Sequence, residues 1–238
     1  MSDYRRFFVD KINDTVTIDG EEFRHAVSVL RIKEGDEIIL LDNSGYEYIC
    51  TVDKINKKDF IAKVKEKFLS QNEPKTKVAL LTGYLKGDKT ELVVQKAVEL
   101  GISKITVFNS KYCSAYMNDN KLARLNKVAV ESAKQCKRAI SPTVDYVDDF
   151  EKALELYKDY DNKLFACEFA KESEVDFTSI KGSTVIVVGS EGGFSQEEFE
   201  VSKNLDYKTI FLGNRILRAE TACISLCAIT MNSLGELQ

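Results

Sequence analysis

The fold is decided by 185-VIVVGSEGGFSQEEFE-200 and 209-TIFLGNRILRAETACISLCAIT-230. Val185–Val188 and Thr209–Leu212 are short apolar runs, each followed by a glycine, and both read as buried parallel strands. Gly189-Ser190-Glu191-Gly192-Gly193 leads into a helix expected over Ser195–Asn204. Gly213-Asn214-Arg215-Ile216-Leu217-Arg218 leads into a second helix starting near Glu220. Ligands of parallel α/β sheets bind beyond the carboxyl ends of strands, where such loops meet. Two glycine loops after strands that read as neighbours, one with Glu191 and one with Arg218 and Glu220, therefore point to a pocket. The other reading is that the glycines only supply turn angles.

The sequence on either side extends this pattern. Glu220–Leu234 is apolar almost all round, as in a central helix or one at a subunit interface. Upstream, Val78–Thr82, the helix Lys89–Leu100 closed by Gly101, and Ile105–Phe108 form a βαβ unit, which requires a parallel sheet. A long helix is expected over Asn120–Ala139, an acidic helix within Asp148–Tyr160, and a strand at Leu164–Cys167.

The first 70 residues read differently. Short β-rich clusters at Arg6–Val9, Val16–Ile18, Glu37–Leu41, Tyr46–Val52 and Phe60–Val64 alternate with turn residues, and Glu21–Leu30 has helical spacing. That spacing suggests a small barrel over residues 1–70. The polar segment Ser70–Lys77 holds one of the two prolines and reads as the linker to a second domain over 77–238.

With 44% apolar and 30% charged residues, the composition is that of a globular protein. No apolar run reaches the length of a membrane span and the start MSDYRRFFVD has no signal-peptide character, so a cytoplasmic protein is expected. Six cysteines without a CxxC pair, beside a single histidine, give no support to a metal site. The lone His25 also argues against a histidine-centred hydrolase triad. Net charge is −4, from −2 over residues 1–70, +7 over 77–138 and −9 over 139–238. The basic middle third suits either a polyanion-binding face or a solvated lysine face. If RNA binds, Arg5, Arg6, Arg24, His25 and Arg31 of the barrel and Lys86, Lys89, Lys134 and Arg138 of the middle third are the candidate contacts. A lone histidine such as His25 is more often a structural hydrogen-bonding residue than a catalyst.

GSEGGFSQEE followed by LGNRILRAETA resembles the paired signature of the SPOUT-superfamily RNA methyltransferases, in particular the RsmE-like 16S rRNA uridine-N3 methyltransferases. KGDKTELVVQKAVELGI, ESAKQCKR and HAVSVLRIKEGDEI are similar to the same family, in the same order, so the resemblance spans nearly the whole chain. It implies an α/β fold, with a PUA-like β-barrel ahead of a trefoil-knotted parallel-sheet domain. It also implies S-adenosyl-L-methionine as cofactor, small-subunit (16S) rRNA as substrate and a homodimer through the knot region. Carried onto this chain, Gly189, Ser190, Glu191, Gly192, Leu212, Gly213, Ile216, Leu217 and Arg218 match the cofactor-loop positions. Asn214 stands where proline is common in the family and Ala219 where threonine is, and Ser190 replaces a frequent proline.

Methylating a uracil N3 removes a proton and pushes negative charge onto the flanking carbonyls. Arg218 is expected to stabilise that charge, with Glu191 or Glu220 orienting it or taking the proton. The alternative for Arg218 is a purely structural pairing with Glu220. For the whole protein, the alternatives are a SPOUT enzyme acting on another RNA position and a non-catalytic RNA-binding ribosome-assembly factor.

Overall fold

The computed structural model describes residues 4–237, so the first three residues of the expected barrel and Gln238 lie outside the described residues. The chain folds as two compact units, one of 4–73 with 133–141 and the other of 74–132 with 142–237. The Ala133–Ser141 segment, which the sequence reading assigned to the second domain, belongs with the first.

In the first unit, β1 (Arg5–Phe8), β2 (Thr15–Ile18), β3 (Glu37–Leu41), β4 (Tyr46–Ile55) and β5 (Phe60–Leu69) form one sheet in the order β1-β3-β4-β5-β2. Two register shifts between β4 and β5, at Ile49/Cys50 and Val52/Lys54, bend the long hairpin so that the sheet curls. Alternate side chains fill its concave core, among them Phe7, Ile38, Leu40, Cys50, Val52 and Phe60. The expected helix Glu21–Leu30 is broken. It runs as α1 (Gly20–Arg24) and then a π-helical turn, His25–Val29, closed by the Leu30 N–H donating to the His25 carbonyl at 3.0 Å. The wider turn sets Ala26 into the core with Phe23, Val27 and Leu30 packed beside it.

Buried ion pairs complete this unit. Arg6 meets Glu47 at 2.8 Å and Glu47 accepts from Ser70 at 2.7 Å. Glu73 accepts from the Arg138 guanidinium at 3.0 Å and from the Ala139 and Ile140 N–H groups at 2.7 and 3.0 Å. Ala139 packs with Ile39 and Leu41 on the outer side of the sheet.

The second unit is built on a parallel six-stranded sheet in the order β11-β9-β10-β6-β7-β8. Its strands are β6 (Val78–Gly83), β7 (Lys104–Phe108), β8 (Val144–Val147), β9 (Asn162–Ala166), β10 (Thr184–Val188) and β11 (Lys208–Ile210). The central β6 and β10 are buried at every position, which accounts for their uninterrupted apolar runs. The helices are α2 (Lys89–Glu99), α3 (Asp119–Gln135), α4 (Phe150–Glu155), α5 (Gln196–Asn204) and α6 (Ala219–Ser233). One face of the sheet carries an aromatic core of Phe108, Phe150, Phe165 and Phe194, in which the Phe165 and Phe194 rings are 4.3 Å apart. Helix α6 packs against α2, β6 and β10.

Three sequence expectations need correction here. The glycine loops do not follow neighbouring strands, because β9 lies between β10 and β11. Strand β8 was missed, since VDYV is only partly buried at the sheet edge and carries a weak apolar signal. The helix expected to reach Ala139 stops at Gln135. Lys137 turns left-handed (φ 64°), which brings Arg138 round to Glu73.

Candidate active site

The loops after β9, β10 and β11 enclose a cavity of about 760 Å³, within the usual size range of small-molecule sites. All nine positions matched to the cofactor loops line it, together with Lys89, Cys167, Glu168, Ala170 and Arg215. The β9 loop was not anticipated. It enters because β9 separates the other two strands, and neither CEFA nor its spacing marks it in sequence.

Close backbone packing shapes the β10 loop. A Cβ on Gly83, at the end of β6, would stand 2.5 Å from the Ser190 backbone nitrogen, so β6 presses directly on this loop. Gly193 has φ +67° and donates its N–H to the Ser190 carbonyl at 3.0 Å. Helix α5 then starts with a reciprocal cap, in which Ser195 Oγ accepts from the Glu198 N–H and Glu198 accepts from the Ser195 N–H at 2.8 Å. The other Glu198 oxygen accepts from the Lys111 N–H at 2.8 Å, joining the loop after β7 to the site.

Gly213 is a different case. With φ +90° and open space where a Cβ would stand, it is needed for its backbone angle rather than for packing.

Charged side chains gather at the cavity: Glu168, Glu191, Lys89, Arg215 and Arg218 line it, and Glu220 follows in the first turn of α6. Glu191 accepts from Lys89 Nζ at 2.9 Å and from the Lys86 N–H at 3.1 Å. Burial opposes its ionisation, but the Lys89 ammonium and the backbone donors outweigh burial and hold its carboxyl below the usual range. The pKa of Lys89 is raised, first by its bond to Glu191 and further by Glu220, while Arg218 opposes the rise. Glu220, in the first turn of α6 between the lining residues Ala219 and Ala222, has one buried carboxylate oxygen with no hydrogen-bond partner among the described residues. Among the described residues no ion pair joins Arg218 to Glu220 or Glu191. The guanidinium is exposed, so the structural pairing considered for Arg218 is not formed.

The RNA-contact candidates divide. In the first unit Arg5, Arg24 and Arg31 are exposed, and His25 is half-buried at the π-turn. Arg6, Lys134 and Arg138 are drawn inside, with side chains 10%, 9% and 4% exposed and paired to Glu47, Glu22 and Glu73. Giving any of them to a phosphate would strand a buried or half-buried carboxylate, so they are structural cations and the expectation is corrected. In the second unit Lys86 is exposed and Lys89 belongs to the cavity.

The lining combines backbone amides, apolar side chains, two acids and several cations. It suits a ligand that pairs a flat, uncharged part with a small charged part.

Comparison with known proteins agrees with this geometry. A family model for an RNA methyltransferase domain matches residues 71–231, and one for an RNA methyltransferase PUA domain matches 18–65. Fold and site thus define an RNA methyltransferase with an N-terminal PUA domain.

The ribosomal RNA small subunit methyltransferase E of Bacillus subtilis is 36% identical over 220 residues, covering 87% of this chain and 86% of its own. That of Mesomycoplasma hyopneumoniae is 34% identical, covering 93% and 96%. The chain belongs to the ribosomal RNA small subunit methyltransferase E family. The fold is also that of the Neisseria gonorrhoeae family member whose crystal structure is bound to S-adenosyl methionine (24% identity, TM-score 0.85, covering 97% of this chain and 98% of that one).

Proposed function

We propose that this protein methylates N3 of a uridine in the 16S rRNA of the small ribosomal subunit, with S-adenosyl-L-methionine as methyl donor. The observation that carries this reading is the joining of the β10 and β11 glycine loops, both family signatures, into one cavity lined by Arg218, with Glu220 two residues on in the first turn of α6. The cavity fits the cofactor. Its backbone-rich β11 loop suits an adenine edge, and Glu168, Glu191 and Arg215 offer opposite charges to a zwitterionic tail. When bound, the cofactor supplies a methyl group on a positively charged sulfur, and in-line transfer to a ring nitrogen depends mainly on positioning.

The residues of the chain divide the remaining work. Glu191, held by Lys89 and the Lys86 N–H, is a poor proton acceptor and acts to fix the loop. Glu220, with an unpartnered buried oxygen, accepts the N3 proton. Arg218, at the N-terminal end of α6, stabilises the negative charge left on the uracil carbonyl, aided by the positive end of the helix.

The same reading includes a homodimer through the C-terminal region threaded as the family's knot, with α6 at the interface, and a cytoplasmic site of action. No helix among the described residues is long and apolar enough to cross a membrane, and they hold no metal-ligating cluster.

Mass mapping of rRNA from cells lacking the gene tests the assignment. The expected result is loss of one methyl on a small-subunit uridine. Loss from another base supports a different target, and no calorimetric binding of S-adenosyl-L-methionine leaves the non-catalytic assembly factor. Arg218→Ala separates the proposed enzyme from the assembly factor, since an enzyme so altered loses methylation while still binding RNA.

A further inference from the structure

The segment between β7 and α3 carries two tyrosines that no part of the proposed chemistry uses. Tyr112 is 49% exposed and Tyr116 73% exposed. Among the described residues neither hydroxyl has a hydrogen-bond partner and neither ring stacks on another aromatic ring. Single exposed aromatics are common on protein surfaces. Here, however, the backbone beneath the rings is held in place. Lys111 donates its N–H to Glu198 at 2.8 Å and its ammonium to Glu197 at 3.0 Å. Ser110 Oγ lies 3.4 Å from Ser190 Oγ, and Cys113 donates its N–H to the Ser110 carbonyl at 2.9 Å. Lys121 donates to the Tyr116 carbonyl at 2.6 Å while its ammonium sits 5.1 Å above the Tyr84 ring.

The segment also abuts the cavity. A Cβ on Gly192, which lines the cavity, would stand 2.6 Å from Tyr112 Cβ and 2.8 Å from its carbonyl oxygen. Two amphipathic rings are therefore exposed to solvent on a segment tied at Lys111, Cys113 and the Tyr116 carbonyl, the first of them beside Gly192 of the cavity wall. Lys86 and Lys111 supply exposed positive charge in the same unit.

We propose that Tyr112 and Tyr116 form a stacking platform for unpaired bases of the RNA substrate at the mouth of the cavity. This rests on the reading of the protein as an RNA-modifying enzyme. An enzyme working on a ring nitrogen normally engaged in pairing must take its target out of the helix, which leaves the target and its neighbours unstacked. Aromatic faces recover part of that stacking without regard to sequence, and nearby lysines follow the backbone.

The test uses the full chain and a short oligoribonucleotide carrying 5-iodouridine, cross-linked by ultraviolet light and mapped by mass spectrometry. The expected cross-links fall on Tyr112 or Tyr116. In parallel, Tyr112→Ala and Tyr116→Ala should each raise KM for small ribosomal subunits roughly tenfold, the loss of about one stacked base. Turnover at saturation and calorimetric affinity for S-adenosyl-L-methionine should hold, and Tyr→Phe at either position should restore KM. Because alanine keeps the Cβ that packs on Gly192, the fold is expected to survive. Cross-links confined to other residues, or unchanged KM in both alanine variants, overturn the platform. A shift of the variants from dimer to monomer in sedimentation also overturns it and gives the tyrosines to a subunit contact. If the wild type methylates no RNA, the enzymatic reading fails separately, while cross-links on the two tyrosines still support the platform.

Discussion

Glu191, which lines the cavity, and Glu220, in the first turn of α6, are carboxylates with different surroundings. Glu191 is bound by an ammonium and a backbone N–H, whereas Glu220 keeps one buried oxygen without a partner. Glu220→Gln is expected to lower kcat by about 10²–10⁴ while leaving cofactor affinity nearly unchanged, as for loss of a general base. Glu191→Gln is expected to weaken cofactor binding, because the loop loses its tie to Lys89, and to reduce kcat far less. Calorimetry and saturation kinetics on the two variants check the division, and equal kcat losses would sink it. Glu174 offers a second residue-level test. It accepts from Lys203 and from the Thr209 N–H at 2.7 Å, and these bonds bring its pKa down to about 2. A depressed carboxylate stabilises the fold above its unfolded pKa, and that contribution disappears as pH falls through the folded value. Glu174→Gln should therefore cost about 1 kcal/mol near neutrality once solvent screening is counted. Its melting temperature should drop by about 2–4 °C, and the gap to wild type should close between the usual carboxylate range and pH 2.

At the level of elements, the site depends on how tightly β6 meets the β10 loop. Gly83→Ala places a methyl group 2.5 Å from the Ser190 backbone nitrogen, and overpacking of this kind costs about 1–3 kcal/mol. The loop must retreat, so cofactor affinity should fall together with the melting temperature. A variant that melts lower yet binds as tightly would show the loop to be more tolerant than the packing indicates. The same elements explain what the sequence revealed. Strands β6 and β10 were legible because burial on both faces leaves an unbroken apolar run, and the start of α5 because Ser195 and Glu198 form a capping box. The nine positions matched to the family's cofactor loops were picked out by its signature, and all of them line the cavity. The insertion of β9 between β10 and β11 was not legible, since spatial strand order has no local signal in sequence. Nor was the fate of Arg6, Lys134 and Arg138. A cation reads alike on a surface or against a covered glutamate, and only the fold supplies Glu47, Glu22 and Glu73.

For the whole molecule, the division into units has a consequence for dissection. The first unit needs Ala133–Ser141, whose Ala139 packs with Ile39 and Leu41 and whose Arg138 meets Glu73. A fragment ending at residue 70 loses Glu73, Arg138 and Ala139 together. It should bind a hydrophobic dye and give poorly dispersed amide spectra, whereas the full chain does not. A well-dispersed spectrum from that fragment would show the barrel to be self-sufficient. Despite a net charge of −4, exposed cations such as Arg5, Arg24, Arg31 and Lys86 predict RNA affinity that falls as salt is raised.

The thiol on the cavity wall gives the protein a built-in label. Cys223 and Cys227 are fully enclosed in α6, with burial pushing Cys223 up to about 12, so neither should react with an alkylating reagent in the native state. Cys167 lines the cavity and is only partly covered, and burial raises its pKa more modestly. Slow carbamidomethylation at mildly alkaline pH should therefore mark Cys167 in the free protein. Saturating S-adenosyl-L-methionine should shield it, so that mass spectrometry of one alkylated peptide reads occupancy of the cavity without RNA or turnover.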